Sequence, residues 1–536
     1  MNKEKLKSLI REIVIREESG AAKKAKAAGL IYAKFGRWKD PKTNKVVALS
    51  RGDELEKVTP KEDKPKKSNA AEKAAVDFLS KVVKASKWKG KVYLAGGYVR
   101  DELLGRDPKD IDLVVEFPDG GIKFAEWLTK KLGVYKEGSN PVIYPKFGTA
   151  ALRLPGKTFN GQDISDVEIE VVMTRKEQYT KGSRKPKVSH GTLGDDVERR
   201  DFTVNSLLKD LTTGEILDLT GMGKADLKKG IVRTPLNPDV IFTDDPLRML
   251  RAIRFTVKYD WQLPRFMIKA LKRNSDMLKT ISAERIQSEL SKMLVTKHPD
   301  KAIRLLQMTG LNKHVAPELD VLRGMKQNKF HKYDVMKHTL AVLKGTSPKL
   351  VNRLAALFHD IGKGATKEVI DNEIHFYKHE DVGAEMAMDI MKRLKYPTDI
   401  IKAVTITVQQ HMRTKQYGKE AEKVSDKALR KLKADLGDHL EDTLDIIHSD
   451  NLAHADDYNM PGQVPGIRKR LKKLGQEPAK PQLPISGNDI MTLLDIKPSK
   501  HVGQLLNLVK DAWFENPKMS RAEALELVMK AHKEIG

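Results

Sequence analysis

The stretch LAGGYVRDELLGRDPKDIDLVVE, residues 94–116, decides how the chain is read. A strand-like run, KVYLA, stops at Gly96-Gly97; a short helical pattern, VRDELLG, follows, and then a second strand-like run, DIDLVVE. A glycine pair between a strand and a helix leaves bare backbone N–H groups where a triphosphate can be held. Asp110 and Asp112 stand two apart on the next strand, so period-two geometry puts both carboxylates on one sheet face, where they can hold two Mg²⁺ ions. Glu170, in the strand-like run VEIEVVMTRKEQY, offers a third ligand, with Glu168 of the same parity as its competitor. An isolated D-x-D is ordinarily a solvated acidic pair. After a glycine turn the arrangement suits in-line nucleotidyl transfer, in which one metal activates an RNA 3′-hydroxyl and the other steadies the leaving pyrophosphate.

Working outward, the helix pattern AAEKAAVDFLSKVVKAS precedes this stretch, and the alternation of helix and strand to about residue 235 predicts a mixed α/β catalytic domain in an α+β chain. A helical region follows, with Leu, Met and Ile at three- and four-residue spacing through RMLRAIRF, MIKALKR and ERIQSELSKML. Histidines become frequent between 331 and 454. The Pro-, Gly- and Lys-rich stretch NMPGQVPGIRKRLKKLGQEPAKPQLP reads as a linker or extended crossover before a last small helical unit. At the other end, residues 1–68 hold 19 Lys/Arg against 10 Asp/Glu and one apolar helix stripe, Leu6, Leu9, Ile10 and Ile13. They read as a short helix and then a mostly flexible basic arm that either holds RNA, docks on a partner, or is simply solvated.

At 536 residues the chain is too long for a single core, and its net charge of +26 makes a polyanion the leading partner, nucleic acid before an anionic membrane surface. No run approaches the roughly 18 apolar residues of a spanning helix, and the N-terminal residues offer no secretory h-region, which predicts a cytoplasmic protein without a membrane partner. The absence of cysteine excludes disulfides, thiolate metal sites and a cysteine nucleophile, so any metal sits on Asp, Glu and His.

GGYVRD followed by LLGRDPKDID resembles the signature of class II tRNA nucleotidyltransferases and bacterial poly(A) polymerases, within the polymerase β-type superfamily. Further elements follow in family order. TLGDDVERRDFTVNSL resembles the segment that contacts the incoming nucleotide, which implies that role for Arg199, Arg200, Asp201 and Asn205 beside Gly96, Gly97, Arg100 and Asp101. DLTGMGKADLKKGIVRTP resembles the head-to-neck link, with Asp218, Gly221, Asp226, Leu227 and Arg233 in place. FTDDPLRMLRAIRF resembles the nucleotide-selecting segment. It implies that Asp245 and Arg248, three apart on one helix face, offer an acceptor and donors to the base edge of CTP or ATP, with Arg251 and Arg254 on the same helix. The bland alternative is an intrahelical Asp–Arg pair. ISAERIQSEL resembles the last such segment, where Glu284 and Arg285 brace the neck. DIDLVVEF differs from the D-x-D-x-x-T of many members, and no aromatic precedes Arg175, so addition of C, C and A and addition of only part of that triplet both stay open.

HKYDVMKHTLAVL, LAALFHDIGKG, HFYKHEDVGAE, VQQHM and DIIHSDNLAHADD, in that order, resemble an HD domain. The resemblance implies a divalent metal on His338, His359, Asp360 and Asp450, with His379 and His411 completing a second site. A metal so held can activate water for phosphoester hydrolysis, for instance to trim a 2′,3′-cyclic or 3′-phosphate before extension; a site kept for stability or RNA contact is the alternative. PISGNDIMTLLDIKPSKHVGQLL resembles the C-terminal helical module of bacterial nucleotidyltransferases, matched at Gly487, Asp489, Pro498 and Gly503.

These readings give a basic arm (1–68), a polymerase β-type head with a mixed sheet (69–235), a helical neck (236–325), an HD domain (326–460), and a linker with a helical module (461–536). The expected activity is metal-dependent addition of C and A to tRNA 3′ ends from CTP and ATP, with Mg²⁺ in the head. A poly(A) polymerase or partial adder is the nearest alternative. An HD phosphohydrolase with an RNA-binding head, or a purely RNA-binding protein, is the alternative of another class.

Overall fold

The computed structural model describes residues 70–475 and 482–535, apart from 137–139, 146–147, 155, 157, 165–166 and 179–186, together with four strands between 31 and 57. Those strands, β1 (Ile31–Tyr32), β2 (Arg37–Lys39), β3 (Val46–Arg51) and β4 (Glu54–Lys57), form one antiparallel sheet in sequential order. Regular strands thus stand within the stretch expected to be a mostly flexible arm. Repeated charge hides the β-branched and aromatic residues of IY, RWK and VVALSR, which favour an extended ladder. The stripe from Leu6 to Ile13 lies outside the described residues.

The chain divides into two compact units. The smaller takes in residues 1–78 and 156–167, and in it Phe78 of the helix Ala70–Lys84 meets Phe159 edge-on at 5.4 Å.

The larger unit begins with β5 (Val92–Ala95) and β6 (Ile111–Val115), followed by β7 (Val142–Tyr144) and β8 (Thr149–Arg153). The pair β9 (Thr158–Phe159) and β10 (Gln162–Asp163) belongs to the smaller unit; β11 (Glu168–Met173), β12 (Arg175–Gln178), β13 (Lys187–His190), β14 (Leu208–Asp210) and β15 (Ile216–Leu217) complete the strands of the head. Seven of them make a sheet of order β15-β14-β5-β6-β11-β8-β7, parallel only between β6 and β11. Alternation along β6 buries Ile111, Leu113 and Val115, with at most 2% exposure, and turns Asp112 to the other face.

Helices take over after the head. Leu247–Tyr259 and Ala283–Leu294 pack together through buried Met249, Ile253, Val257, Leu290 and Met293. The neck is tied onward by Ser291 Oγ, 3.0 Å from the Tyr396 hydroxyl, and by Arg393, which grips Glu318 with both terminal nitrogens at 2.6 and 2.9 Å.

The stretch read as a linker holds the helix Gln463–Leu474, whose Val464 and Ile467 enter a core with Leu429, Leu432, Leu444 and Ile447. Pro465 and five Lys/Arg mask that pattern in the sequence; a proline in a first turn costs no helical hydrogen bond. The last three helices, Gly487–Leu494, Lys500–Glu515 and Arg521–Ile535, enclose their own core around Ile490, Leu505, Val509 and Val528. Ser486 and Asp489 close the first of them with a reciprocal capping box, a structural reason for Asp489. No helix among the described residues is long and apolar enough to cross a membrane.

Candidate active site

In the parallel pair β6–β11, Glu170 stands directly opposite Asp112. Asp110 immediately precedes β6 and is exposed, one pleat away on the same side. Asp112 is half-buried, and burial first, then Glu170 and Asp110, raise its carboxyl to about 6 against the opposing pull of Arg200. Glu168, the competitor, pairs instead with Arg153 at 3.6 Å on the neighbouring strand. The geometry therefore groups Asp110, Asp112 and Glu170 and sends Glu168 elsewhere.

Gly96 ends β5 at φ +64°, where a side chain would be strained; a Cβ there would lie 3.5 Å from Arg200 Nη1 and 3.6 Å from Asp112 Oδ2. The glycine is the bare floor of the acidic group. It caps the helix Gly97–Leu103 without a side-chain hydrogen bond.

Arginines around this floor are held in a connected set. Asp196 is fully buried, and both Arg199 and Arg200 donate to it, Arg200 Nη2 at 2.8 Å. Burial alone would raise that carboxyl, but Arg200 and Arg199 outweigh it and hold it below the usual range. Arg200 Nη1 also donates to the Asn205 carbonyl at 3.1 Å. The Asn205 side chain accepts from Arg100 Nη1 at 2.6 Å and donates to Asp201 Oδ1 at 2.9 Å, and Asp201 Oδ2 accepts from Arg251 Nε at 2.8 Å. Arg100 is 6% exposed, forks onto Asp101 at 2.9 and 2.7 Å, and lies over the rings of Phe255 and Tyr259. Arg100, expected at the phosphates, is held as an inward brace: Asp101 follows it directly and two aromatic rings of the neck helix receive its guanidinium.

Asp245 and Arg248 also differ from expectation. Asp245 is not on the helix: it lies between Pro238–Asp244 and Leu247–Tyr259, and its Oδ1 accepts the Leu247 N–H at 3.1 Å. Pro246, whose ring excludes a helical hydrogen bond, enforces that break. Asp245 Oδ2 accepts from Arg285 at 2.8 Å, while Arg248 donates to the carbonyls of Arg199 (2.7 Å) and Ile241 (3.3 Å). Each residue is fixed by a third group, so the bland intrahelical pair does not form. Two of the five Arg248 N–H donors are used, and both Asp245 oxygens retain acceptor capacity. Arg254 turns away to Glu289, which is 3% exposed.

The histidine-rich part builds a second centre. His338 sits on the helix Val335–Gly345, His359 and Asp360 follow Leu350–Phe358, His379 opens His379–Arg393, His411 follows Thr398–Gln409, and Asp450 lies on Leu440–Ala453. All six are at most 5% exposed. The Nδ1 atoms of His359, His379 and His411 lie 2.9, 2.9 and 2.6 Å from the carbonyls of Ala356, Phe376 and Val408. Carbonyls only accept, so each Nδ1 carries a proton and each Nε2 faces Asp360, at 3.3, 3.4 and 3.9 Å. His338 Nε2 lies 2.9 Å from Asp450 Oδ1. The ligand atoms fall into two sharing groups, His338–His359–Asp360 and Asp360–His379–His411, each within 4.8 Å. Gly362 permits this closeness, since a Cβ there would fall 2.2 Å from the His379 carbonyl.

Sequence reasoning missed two lysines and two histidines here. Lys363 reaches Asp360 Oδ2 at 2.8 Å and Lys415 reaches Asp450 Oδ2 at 2.9 Å. Burial alone would raise both carboxyls, but His359 and Lys363 at one, and Lys415 and His338 at the other, hold them well below the usual range. His331 and His454 meet His338 edge-on at 4.9 and 5.5 Å, and burial pushes His331 down to about 2. Both stood in quoted runs; Lys415 carried no signal. A cavity of about 540 Å³ opens over the group, walled by Phe330, Phe376, Tyr377 and Tyr458.

Family models match this architecture as a poly(A) polymerase head domain (residues 92–233), a probable RNA- and SrmB-binding site of polymerase A (265–322) and an HD domain (335–447). The CC-adding tRNA nucleotidyltransferase of Thermus thermophilus is 30% identical over 80% of this chain and 91% of that protein. The chain belongs to the tRNA nucleotidyltransferase family. Within it, the multifunctional CCA protein of Neisseria gonorrhoeae is 31% identical over 61% of the chain and 75% of its own length. The Bacillus stearothermophilus CCA-adding enzyme, solved with CTP, has the same fold, with a TM-score of 0.59 at 19% identity over 87% of this chain and 98% of that one. Family membership accounts for the order in which the head, neck and HD segments recur, and places the acidic group of β6 and β11 inside the matched head.

Proposed function

We propose that this nucleotidyltransferase adds C and A to tRNA 3′ ends from CTP and ATP without a nucleic-acid template. The observation that carries the reading is the parallel register that sets Glu170 against Asp112 beside Asp110 and the bare Gly96. A carboxyl raised to about 6 by burial and two anionic neighbours is one that a divalent cation stabilises, so the donor set fits Mg²⁺ on Asp110, Asp112 and Glu170. When bound, Mg²⁺ neutralises phosphate charge and makes the RNA 3′-hydroxyl a better nucleophile.

The chain's own residues position the reactants. The RNA 3′ oxygen bonds to the α-phosphorus as the bond to the β-phosphate bridge breaks and pyrophosphate leaves. Gly96 admits the phosphates against the backbone, and Arg200, anchored on Asp196, supplies charge at the acidic floor. Arg248 and Asp245, each held by a third group, present fixed donors and acceptors to the base edge. Because Arg248 rests on the Arg199 carbonyl, base choice is mechanically continuous with the Arg199–Asp196–Arg200 set. Asp112→Asn is expected to abolish CTP incorporation while the protein stays folded; retained incorporation overturns the assignment.

A second reading, addition of C and C only, is favoured by the Thermus relative's name. The HD centre fits a divalent metal on His338, His359, Asp360 and Asp450, with His379 and His411 as further ligands. It supports phosphoester hydrolysis at an RNA end or nucleotide, with Lys363 and Lys415 placed to meet phosphate. Failure of the metal-loaded protein to hydrolyse 2′,3′-cyclic and 3′-phosphates contradicts this.

A further inference from the structure

The catalytic sheet carries another cavity at its opposite end. It measures about 370 Å³ and is walled by Trp88, Phe117 and Trp127. Lys87, Lys91, Lys123 and Lys130 line it, with Glu126 as its one acidic side chain. β5 and β6 run antiparallel, so Lys91 and Phe117 lie at the ends of these strands remote from Gly96 and Asp112. Five residues at about 3.3 Å each put the cavity roughly 15 Å from the acidic group.

Two observations separate this cavity from an ordinary solvated surface. The first is uncompensated charge. Lys123 leans on Asp119 at 3.5 Å, but among the described residues no carboxylate stands within 4.0 Å of the ammonium groups of the exposed Lys87, Lys91 and Lys130. The second is aromatic surface at the same place. Phe117 is 36% exposed, with the ammonium groups of Lys91 and Lys123 at 5.2 and 5.3 Å from its ring centroid. Trp127, partly exposed, packs against Phe124 at 5.7 Å and Trp88 at 6.2 Å, which fixes its ring plane.

A rigid aromatic wall ringed by lysines, three of them without a carboxylate partner, matches a ligand with both a flat ring and a phosphate. We propose that this cavity is a second nucleotide-binding site, which stacks an unpaired base on Trp127 and Phe117 and holds its phosphate with Lys87, Lys91 and Lys130. Glu126 supplies an acceptor for an exocyclic amine or a ribose hydroxyl. The nucleotide comes either from a single-stranded stretch of bound RNA or from the free triphosphate pool.

The test uses the full chain in EDTA, which suppresses metal-dependent binding at Asp112, with a labelled cytidine hexanucleotide as probe. Lys87→Glu/Lys130→Glu is expected to weaken the hexanucleotide at least tenfold and to lower its salt slope by about 1.4, at roughly 0.7 per phosphate contact on a single strand. Trp127→Leu is expected to weaken it fivefold or more through lost stacking. Melting curves establish that both variants are folded; the lysine pair is on the surface and stands by itself if Trp127→Leu does not fold. CTP that competes with the hexanucleotide identifies the free nucleotide as a ligand; CTP that fails to compete identifies the RNA strand, and either outcome supports the site. Unchanged affinity in the lysine variant overturns it. So does equal loss of hexanucleotide and inorganic tripolyphosphate binding with no effect of Trp127→Leu and of Phe117→Ala, which leaves a basic patch without base recognition.

Discussion

If Asp112 is the metal-holding carboxylate proposed above, its burial costs stability, and the cost is measurable. Its carboxyl is raised from the ordinary 3.8 to about 6 by burial, Glu170 and Asp110. The folded state therefore binds a proton that the unfolded chain has released across that interval, and stability falls as pH rises from about 4 to 6, then stays low. The difference of about 2.2 units, at 1.36 kcal/mol each, is about 3 kcal/mol as an upper bound, since the side chain keeps some solvent. Asp112→Asn removes the ionisation and keeps the shape. In EDTA the variant and the parent are expected to unfold alike near pH 3, below the unfolded-chain value, while at pH 7.5 the variant is more stable by about 1–3 kcal/mol, read by urea denaturation followed with a head-domain probe. Adding Mg²⁺ should stabilise the parent and not the variant. A variant that is less stable than the parent at pH 7.5, or a difference that does not grow with pH, refutes the reasoning about the acidic group.

Arg251→Met strands Asp201, which is 8% exposed, and is expected to destabilise the head by about 3 kcal/mol, seen as a lower first melting transition. Arg248→Ala loses contacts near the surface instead; it should melt within about 1 kcal/mol of the parent but change the ratio of CTP to ATP incorporation. Asp196 is held below the usual range by Arg200 and Arg199, so its contribution is present above about pH 4 and lost as pH falls through its folded-state value; Asp196→Asn is expected to flatten the acid limb of the head's stability profile. His359→Ala should reduce bound Mn²⁺ measured by metal analysis of the dialysed protein, and leave CTP incorporation within about twofold, since the two centres share no residue.

Much of the head was legible because its chemistry is local. A strand, two glycines and a D-x-D sit within one 23-residue stretch, and period two alone orients Asp112. The pairing that selects Glu170 over Glu168 was not legible, because both share one parity and the choice depends on Arg153, supplied by another strand. Asp245 illustrates a different limit: three-residue spacing implied one helix face, but Pro246 breaks the helix and converts that aspartate into a cap. Arg100 stands beside the glycines, but the groups that fix it, Asn205, Phe255 and Tyr259, lie more than a hundred residues away, beyond the reach of local spacing. In the HD centre the candidate ligands stood in ordered runs, whereas Lys415 reaches Asp450 only through a fold that no spacing reveals. The strands between 31 and 57 and the helix Gln463–Leu474 were concealed by lysine, because charge marks solvent exposure and says little about backbone geometry.

The most direct measurement of the central claim is a product ladder from the purified chain, Mg²⁺, and tRNA transcripts lacking the last three, two or one nucleotides, with CTP and ATP given singly and together. Stepwise addition ending at CCA, lost in Asp110→Ala, is expected. Addition that halts after two cytidines restricts the activity to CC; long adenosine tails, or no extension of any transcript, contradict the account.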